Sequence, residues 1–336
     1  MIPIGLDVAG AKAGMVGPAA PQRSAASFGD QKDALPRLSD ETFARLARIV
    51  RAETGIVLGP SKRNMVVSRL ARRLRHLGLT DFADYCRLLE SAEGATERRV
   101  LTSAITTNVT SFFRESRHFE TLAGLVPEFA ARARRGERIR IWSAGCATGQ
   151  EPYSIAVTLL DRWPDAPRYD VRILGTDIDP EAVAAARRGV YEARLVGDAP
   201  PMLRRHLVPG PEPGSFALGE EPRKLVRFEE LNLLGPWPFR GRFDVIFCRN
   251  VVIYFDAASR LRLWERFAER LMPGGWLFVG HSERIDASLE DLLIPAGITQ
   301  YRRSGVPSAP QGPGGEPRRS PRAGTDGGTG NVRSIF

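Results

Sequence analysis

The sequence has few cysteines, few histidines and no long hydrophobic run. Its three cysteines, Cys86, Cys146 and Cys248, are odd in number and lie far apart. That spacing favours neither a disulfide framework nor a metal site, so a reducing cytoplasm is the expected compartment. No apolar stretch approaches the roughly 20 residues of a membrane span. The first residues lack the basic start and apolar core of a secretory signal, so we expect neither a span nor a signal.

The charge balance is basic, since 48 lysines and arginines against 39 aspartates and glutamates give a net charge of +9 at pH 7. Such an excess favours an acidic partner, which could be nucleic acid, an anionic membrane or an acidic protein. A genome rich in arginine codons explains the same excess without any partner. With 43% hydrophobic and 26% charged residues, the composition is that of a globular protein and excludes a wholly disordered chain.

Four regions follow one another along the chain. Residues 1–34 contain eight glycines and prolines and residues 305–334 contain thirteen, so we predict disordered tails over 1–34 and 304–336. Helical spacing of apolar residues over 35–115 predicts an all-α domain. From 116 to 303, strands alternate with helices, which predicts an α/β domain with a doubly wound, Rossmann-like parallel sheet.

The α/β region contains four short apolar segments that we predict as buried strands, over 139–142, 171–177, 243–248 and 276–279. A Pro-Gly-Gly segment at 273–275 is expected to stop the helix that precedes the last strand. Residues 190–230 fit no single β-α unit, because about forty residues is long for a loop in a compact domain. We interpret 190–230 as a small inserted subdomain that includes a strand at 224–228.

A glycine-containing turn over residues 143–154 follows the first predicted strand. Gly145 and Gly149 permit a tight turn and a close backbone approach to a ligand. The turn departs from the dinucleotide pattern G-x-G-x-x-G and lacks the lysine of a phosphate-binding loop. The second strand ends at Asp177, which can accept hydrogen bonds from ribose hydroxyls, although Asp177 or Asp179 could merely cap the next helix. These features favour an adenosyl ligand without a pyrophosphate, for which S-adenosylmethionine is the candidate.

Six segments of the sequence resemble the motifs of the chemotaxis receptor methyltransferases, the CheR family, and occur in the family's order. They are Thr106–Arg114, Gly145–Ser154, Gly175–Asp179, Leu231–Leu234, Cys248–Phe255 and Gly280–Glu283. The resemblance covers about residues 38–303, with one departure at Gln150, where many members have glutamate. It implies a class I methyltransferase sheet with a small inserted β-subdomain, preceded by an all-α N-terminal domain.

The resemblance also implies S-adenosylmethionine as the cofactor, without a metal. The cofactor-binding residues that it implies are Asn108, Thr110, Arg114, Glu151, Asp177, Asn232, Leu233, Arg249 and Asn250. Among them, Asp177 would hold the ribose and residues 232–233 would flank the adenine. Judged from the residues alone, Asn108 and Thr110 could equally cap a helix that begins near Ser111.

The reaction that the resemblance implies is methyl transfer to glutamate side chains in cytoplasmic helices of membrane chemoreceptors, as part of chemotaxis adaptation. Its products are glutamate γ-methyl esters and S-adenosylhomocysteine. A glutamate carboxylate is already ionised at pH 7, so the reaction needs no strong general base. We predict Arg114 and Tyr254 as catalytic residues, Arg114 to orient a carboxylate of the acceptor or cofactor and Tyr254 to donate its hydroxyl. Tyr254 could instead be a core aromatic, and His281 is interpreted as structural.

The helix predicted over residues 61–76 carries six lysines and arginines and no acidic residue. At about 100° per residue, Lys62, Arg69, Arg73 and His76 form one stripe. We predict that Lys62, Arg69 and Arg73 bind an acidic receptor helix, while a merely solvated basic face is the alternative.

Two other functions remain compatible with the sequence. The first is the same reaction on a receptor or signalling protein of a non-chemotaxis pathway. The second is a nucleic-acid-binding protein that keeps a cofactor fold, although no stacking aromatic residues lie between the arginines. We expect a cytoplasmic monomer with neither a nucleic-acid partner nor a membrane span. Whether residues 190–230 bind a receptor C-terminal peptide, as in some family members, stays open.

Overall fold

A computed structural model of the protein describes residues 38–305, so the two predicted tails lie outside the described residues except for positions 304–305. The helices are α1 Asp40–Thr54, α2 Arg63–His76, α3 Phe82–Glu90, α4 Ala95–Ile105, α5 Arg117–Arg134, α6 Gln150–Arg162, α7 Pro180–Arg188, α8 Ala193–Val196, α9 Pro201–Arg204, α10 Glu220–Leu225 and α11 Ala257–Arg270. The strands are β1 Ile139–Ala144, β2 Val171–Asp177, β3 Val190–Glu192, β4 Leu207–Pro209, β5 Ser215–Leu218, β6 Val226–Glu230, β7 Phe243–Cys248, β8 Leu271–Val279, β9 Leu293–Gly297 and β10 Gln300–Arg303. Within residues 38–305, no helix is long and apolar enough to cross a membrane.

Helices α1 to α4 form an all-α N-terminal domain. The side chains of Ser39 and Asp81 accept backbone hydrogen bonds at the starts of α1 and α3, as helix-capping residues do. Each of the four helices contributes apolar side chains to one buried cluster, which includes Leu46, Val50, Leu70, Leu74, Phe82, Leu89 and Leu101. Burial of this apolar surface is the main force that holds the domain together.

Seven strands form the central sheet in the order β6-β2-β1-β7-β8-β10-β9. The strands from β6 to β8 are parallel, whereas β10 runs antiparallel to both of its neighbours. The predicted doubly wound α/β class is confirmed, with two additional strands, β9 and β10, that the sequence analysis did not include. The strand order changes direction between β1 and β7, because β2 and β6 lie on one side of β1 and β7 lies on the other. Ligands of such sheets bind at this point, at the carboxyl ends of the strands.

Helices cover both faces of the sheet. Alternate residues of β1 enter opposite faces, so Ile141 belongs to one buried cluster with Phe119 of α5 and Ile155 of α6, whereas Trp142 packs against Phe267 of α11 on the other face. Every residue of β1 is buried. Burial on both faces explains why the strand reads as a nearly continuous apolar run.

A small antiparallel sheet of order β3-β5-β4 follows α7, inside the expected insertion. The prediction for residues 190–230 needs correction at its end, because β6 pairs with β2 in the central sheet. The strand expected over residues 224–228 begins only at Val226, since the preceding residues form α10. The inserted part is therefore shorter than predicted.

Strand β8 begins at Leu271, although the Pro-Gly-Gly segment was expected to separate helix from strand. The register between β7 and β8 jumps, so that Phe243 lies opposite Leu271 while Val245 lies opposite Trp276. The extra residues lie between Leu271 and Trp276, and Gly274, with a φ of +76°, permits them to leave the hydrogen-bond ladder. The expected helix end and the strand over 276–279 are confirmed, and what the prediction missed is that Leu271 already pairs with Phe243 of β7.

The helical domain packs against the carboxyl edge of the central sheet. The backbone N–H of Val57 donates to the carbonyl of Tyr254 at 2.9 Å. Gly55, which ends α1 with a φ of +77°, lies so close to Leu234 that a Cβ there would be 2.1 Å from the leucine Cδ1. The left-handed backbone favours glycine here, a larger residue would displace the Leu234 side chain, and the contact lies between the helical domain and the strand ends.

Candidate functional site

A cavity of about 390 Å³ lies where the helical domain faces the carboxyl ends of β1, β2 and β7. This volume is in the range of small-molecule sites. The lining includes all nine residues that were predicted to bind the cofactor, together with Tyr254. Of the three predicted receptor-binding residues, Lys62 and Arg69 line the cavity and Arg73 does not.

The turn after β1 closes one end of the cavity. Gly145 has a φ of +87°, and its N–H donates to the carbonyl of Thr176 at 2.8 Å. A Cβ on Gly145 would lie 2.2 Å from Cγ2 of Val251, so a larger residue does not fit. Gly149 begins α6 with a φ of +96°. Both glycines therefore serve the left-handed backbone that this turn adopts.

Asp177 presents its carboxylate at the end of β2 and is 8% exposed. Its Oδ2 accepts the backbone N–H of Ala147 at 2.8 Å, and its Oδ1 accepts that of Asp179 at 3.0 Å. Burial raises the pKa of Asp177 above its ordinary value, while these backbone donors oppose the rise. Of the two candidate caps of α7, Asp179 fills that place, since it accepts the N–H of Glu181 at 2.9 Å.

Glu151 and Arg249 form a buried ion pair in the cavity wall, with 3.0 Å between Oε2 and Nη1. The other carboxylate oxygen of Glu151 accepts the Ser143 hydroxyl at 2.7 Å. Burial raises the pKa of Glu151, and the charge of Arg249 opposes that rise. Arg249 also donates to the carbonyl of Arg114 and lies 3.4 Å from Oε2 of Glu115. It thus joins β7, the turn after β1 and the chain before α5.

The linker between α4 and α5 covers the cavity from the side of the helical domain. Asn108, Thr110 and Arg114 all line the cavity from this linker. The amide of Asn108 donates to Oδ2 of Asp179 at 2.6 Å. The alternative that Asn108 and Thr110 cap a helix here is wrong, because α5 begins only at Arg117.

Asn232 and Leu233 line the third side of the cavity. The Asn232 amide is engaged at both ends, because Oδ1 accepts the N–H of Leu234 at 2.9 Å and Nδ2 donates to the carbonyl of Glu53 at 3.0 Å. The Asn232 side chain therefore holds the turn in place. Contacts with a ligand here would come from the turn backbone and from Leu233.

Glu283 shapes the site, although the sequence analysis assigned it no role. Its buried carboxylate accepts four backbone hydrogen bonds of 2.6–3.0 Å, from Gly280, Asn250, Val251 and Val252. These bonds fix the chain after β7, where Asn250 has a left-handed φ of +61°. The only signal for Glu283 in the sequence is its place at the end of the Gly280–Glu283 motif.

Tyr254 lines the cavity beyond this fixed segment. No residue among 38–305 hydrogen-bonds to its hydroxyl, which leaves the group available to a ligand. His281 is outside the cavity lining, and its Nδ1 lies 3.4 Å from Oε1 of Glu115. The His281 side chain is 69% exposed, so its structural role stays a prediction.

Comparisons with known proteins agree with this geometry. Residues 41–106 match the family model described as CheR methyltransferase, all-alpha domain, and residues 108–302 match CheR methyltransferase, SAM binding domain. The chain belongs to the CheR methyltransferase family. A probable chemotaxis protein methyltransferase of Rhizobium etli is 45% identical over 76% of this chain and 96% of its own length. A chemotaxis protein methyltransferase of Escherichia coli is 43% identical over 80% of this chain and 92% of its own.

This CheR family member is accordingly an S-adenosylmethionine-dependent methyltransferase, as the resemblance implied. The residues of the cavity suit that cofactor chemically. The carboxylates of Asp177 and Glu151 match a ligand that carries hydroxyl groups, a sulfonium and an ammonium, and Arg114 matches its carboxylate. The turn after β1 lacks a lysine, which fits a ligand without phosphates.

The receptor-binding prediction for α2 of this CheR family member stays a prediction, but two of its three residues already make internal contacts. Arg69 donates to two carbonyl groups at the C-terminal end of α4, at 2.8 and 2.9 Å. Arg73 forms an ion pair with Glu97 at 2.5 Å. Only Lys62 of the three is exposed, along with Arg72 and other cations outside the predicted stripe.

Proposed function

We propose that this enzyme transfers the methyl group of S-adenosylmethionine to glutamate side chains in the cytoplasmic helices of chemoreceptors. The products are glutamate γ-methyl esters and S-adenosylhomocysteine, and the reaction serves chemotaxis adaptation. The names of its relatives, which are chemotaxis methyltransferases, support this setting. One structural observation carries the choice of acceptor: among residues 38–305, the cavity lining holds a tyrosine, arginines and Lys62 but no histidine.

The cavity lining among residues 38–305 has neither a histidine nor an unengaged carboxylate to act as a base, which favours an acceptor that is already ionised. A glutamate carboxylate is ionised at pH 7 and needs no proton removed. The two acidic residues of the lining are both engaged, Glu151 with Arg249 and Asp177 with backbone N–H groups. An amine or alcohol acceptor would require a base to take its proton. The cavity is therefore better suited to a carboxylate.

Alignment and the exclusion of water are the main contributions of this site to the reaction. When bound, the cofactor supplies a methyl group on a positively charged sulfonium. Positive sulfonium and negative carboxylate neutralise each other as the methyl group moves, so a strong anion-binding site would oppose the reaction. The Tyr254 hydroxyl is a moderate hydrogen-bond donor that can orient the acceptor without neutralising it.

Arg114 is the cation that we assign to a ligand carboxylate. Its guanidinium donates to the carbonyl of Val109 at 3.3 Å and takes part in no ion pair among residues 38–305. It can orient either the acceptor or the cofactor's own carboxylate. The remaining cofactor contacts that we propose are Asp177 to the ribose, Asn232 and Leu233 at the adenine, and Asn108, Thr110, Glu151, Arg249 and Asn250 around the methionine portion.

We place receptor docking on the exposed cations of the helical domain, Lys62, Arg72 and Arg75. An acidic receptor helix complements this charge, and such complementarity speeds association. The proposed enzyme acts in the cytoplasm as a monomer and has no nucleic-acid partner.

Methylation by enzyme and methyl-tritiated S-adenosylmethionine, with the cytoplasmic fragment of a chemoreceptor as acceptor, tests this proposal. We expect label in the receptor that mild base releases as volatile methanol, because carboxyl esters are base-labile. A fragment whose acidic helices carry glutamine for glutamate should take up no label. Base-stable label would contradict a carboxylate acceptor. Base-labile label confined to other signalling proteins would contradict the chemotaxis assignment.

A further inference from the structure

Asp179 collects hydrogen bonds from two separate parts of the chain. It is 2% exposed. Its Oδ1 accepts the N–H of Glu181 at 2.9 Å and the hydroxyl of Ser103 at 2.5 Å. Its Oδ2 accepts the amide of Asn108 at 2.6 Å, and the Thr106 hydroxyl, which also reaches the carbonyl of Thr102 at 3.0 Å, lies 3.1 Å from it. Three of the four donors thus belong to the end of α4 and the linker after it.

The same residue also contacts the ribose end of the proposed cofactor site. The backbone N–H of Asp179 donates to Oδ1 of Asp177 at 3.0 Å. Asn108, which binds the Asp179 carboxylate, itself lines the cavity. Asp179 therefore stands between the residue assigned to the ribose and the segment that covers the cavity.

Helix capping alone does not account for this arrangement. An N-cap needs one side-chain oxygen to accept a backbone N–H of the first turn. In Asp179 that oxygen is Oδ1, whereas Oδ2 is devoted to the linker. A buried carboxylate with side-chain donors makes charge-assisted hydrogen bonds, which are about twice as strong as neutral ones.

We propose that Asp179 is a positioning residue that couples cofactor capture to closure of the linker over the cavity. The segment held by Asp179 is residues 103–108, which comprise the end of α4 and the start of the linker. Through the Asp179 carboxylate, binding of the adenosyl ligand at Asp177 and docking of this segment then stabilise each other. Coupling of this kind is reciprocal, so the ligand must stabilise the linker as much as the linker stabilises the ligand. The inference concerns the cofactor and does not depend on which acceptor is methylated.

The variant Asp179→Asn separates the two roles of the side chain. Asparagine is as good an N-cap as aspartate, so α7 keeps its cap through Oδ1. Its amide nitrogen replaces Oδ2 and faces the amide nitrogen of Asn108, so two hydrogen-bond donors oppose each other and the bond from Asn108 is lost. Asp256→Asn is the matched control, because Asp256 also caps a helix and pairs with Arg51 of the helical domain but lies outside the cavity lining.

Calorimetric binding of S-adenosylhomocysteine to the full chain, with hydrogen exchange over residues 103–116, provides the test. We expect Asp179→Asn to raise the dissociation constant about tenfold or more and to lose the protection that the ligand confers on the linker. We expect Asp256→Asn to stay within about twofold of the unmodified enzyme, since exposed pairs contribute little. Unchanged affinity in Asp179→Asn would overturn the proposal. So would weaker binding with an unaltered linker, or an equal loss in both variants.

Ser103→Ala provides a second test that leaves the cap and the cavity lining untouched. It removes one of the three donors that tie α4 and the linker to Asp179. We expect a rise of about threefold in the dissociation constant and faster exchange in the linker. If Asp179→Asn does not fold, this variant decides the matter, and wild-type affinity in Ser103→Ala would then contradict the coupling.

Discussion

Arg73 of α2 and Glu97 of α4 form an ion pair inside the helical domain, with 2.5 Å between Nη2 and Oε2. The Glu97 side chain is 7% exposed, and the Tyr85 hydroxyl donates to it at 2.8 Å. One buried carboxylate thus links α2, α3 and α4. Arg73, which helical spacing had placed on a stripe for a partner protein, contributes to the stability of its own domain.

Arg73→Ala should therefore destabilise the protein. We expect the free energy of unfolding to fall by about 2 kcal/mol, because the buried Glu97 carboxylate loses its charged partner. Urea denaturation followed by circular dichroism measures this loss. Arg75→Ala, an exposed arginine of the same helix, should change the free energy by less than about 0.5 kcal/mol. Equal effects of the two substitutions would contradict a structural role for Arg73.

Receptor docking should respond to the exposed arginines of α2 instead. We expect Arg72→Glu combined with Arg75→Glu to raise the Michaelis constant for receptor about tenfold and to flatten its salt dependence. The reason is that several exposed pairs act together and are screened by salt, with a Debye length of about 10 Å at 0.1 M. The control is Arg134→Glu with Arg138→Glu, at the opposite edge of the sheet. If both double variants behave alike, only net charge matters and the docking surface lies elsewhere.

Tyr254→Phe should lower the turnover rate while the affinity for S-adenosylhomocysteine is retained. The substitution keeps the ring and removes only the hydroxyl that orients the acceptor, so a loss of about tenfold is expected. Steady-state kinetics at saturating receptor measure the rate, and calorimetry measures the affinity. Tyr169→Phe, before β2 and outside the cavity lining, is the control. Full turnover in Tyr254→Phe would show that the tyrosine serves packing alone.

His118 of α5 gives the stability of the enzyme a pH dependence. It is buried, and its Nε2 lies 2.9 Å from Oγ1 of Thr299. Burial, aided by the charge of Arg249 and opposed by that of Glu115, lowers the pKa of His118 to about 4. In the unfolded chain its pKa is about 6.5. Between pH 4 and pH 6.5, the unfolded chain binds this proton and the folded enzyme does not. The stability that comes from burying a neutral His118 is therefore fully present above about pH 6.5 and is lost as the pH falls towards 4.

His118→Gln removes the titrating group and isolates this effect. The stability of the unmodified enzyme should fall relative to that of the variant by about 3 kcal/mol between pH 6.5 and pH 4. Denaturant titrations of both proteins across this range give the difference. A difference that does not vary with pH would show that His118 keeps an ordinary pKa in the folded enzyme.

Strand ends were the most predictable part of the site. A buried parallel strand reads as an apolar run, and the polar residues that end or follow the run fall at the carboxyl edge of the sheet. Asp177 and Asn250 both follow this rule, and both line the cavity. The glycine turn at Gly145 could also be read locally, because its left-handed backbone restricts the residue type.

Contacts between distant segments could not be predicted in the same way. Helical periodicity defines the faces of α2 but does not state which neighbour packs against each face. Arg69 and Arg73 flank the buried row that includes Leu70, and their long side chains reach α4. Three of the four backbone hydrogen bonds to Glu283, those from residues 250–252, likewise depend on tertiary contact between the chain after β7 and the chain after β8.

The assignment of the cavity to S-adenosylmethionine, with Asp177 at the ribose, is tested most directly by calorimetry with S-adenosylhomocysteine on Asp177→Ala. Loss of hydrogen bonds to the ribose should weaken binding about ten- to a hundredfold. Asp170→Ala, before the opposite end of the same strand, should bind as the unmodified enzyme does. Wild-type affinity in a folded Asp177→Ala variant would contradict the assignment.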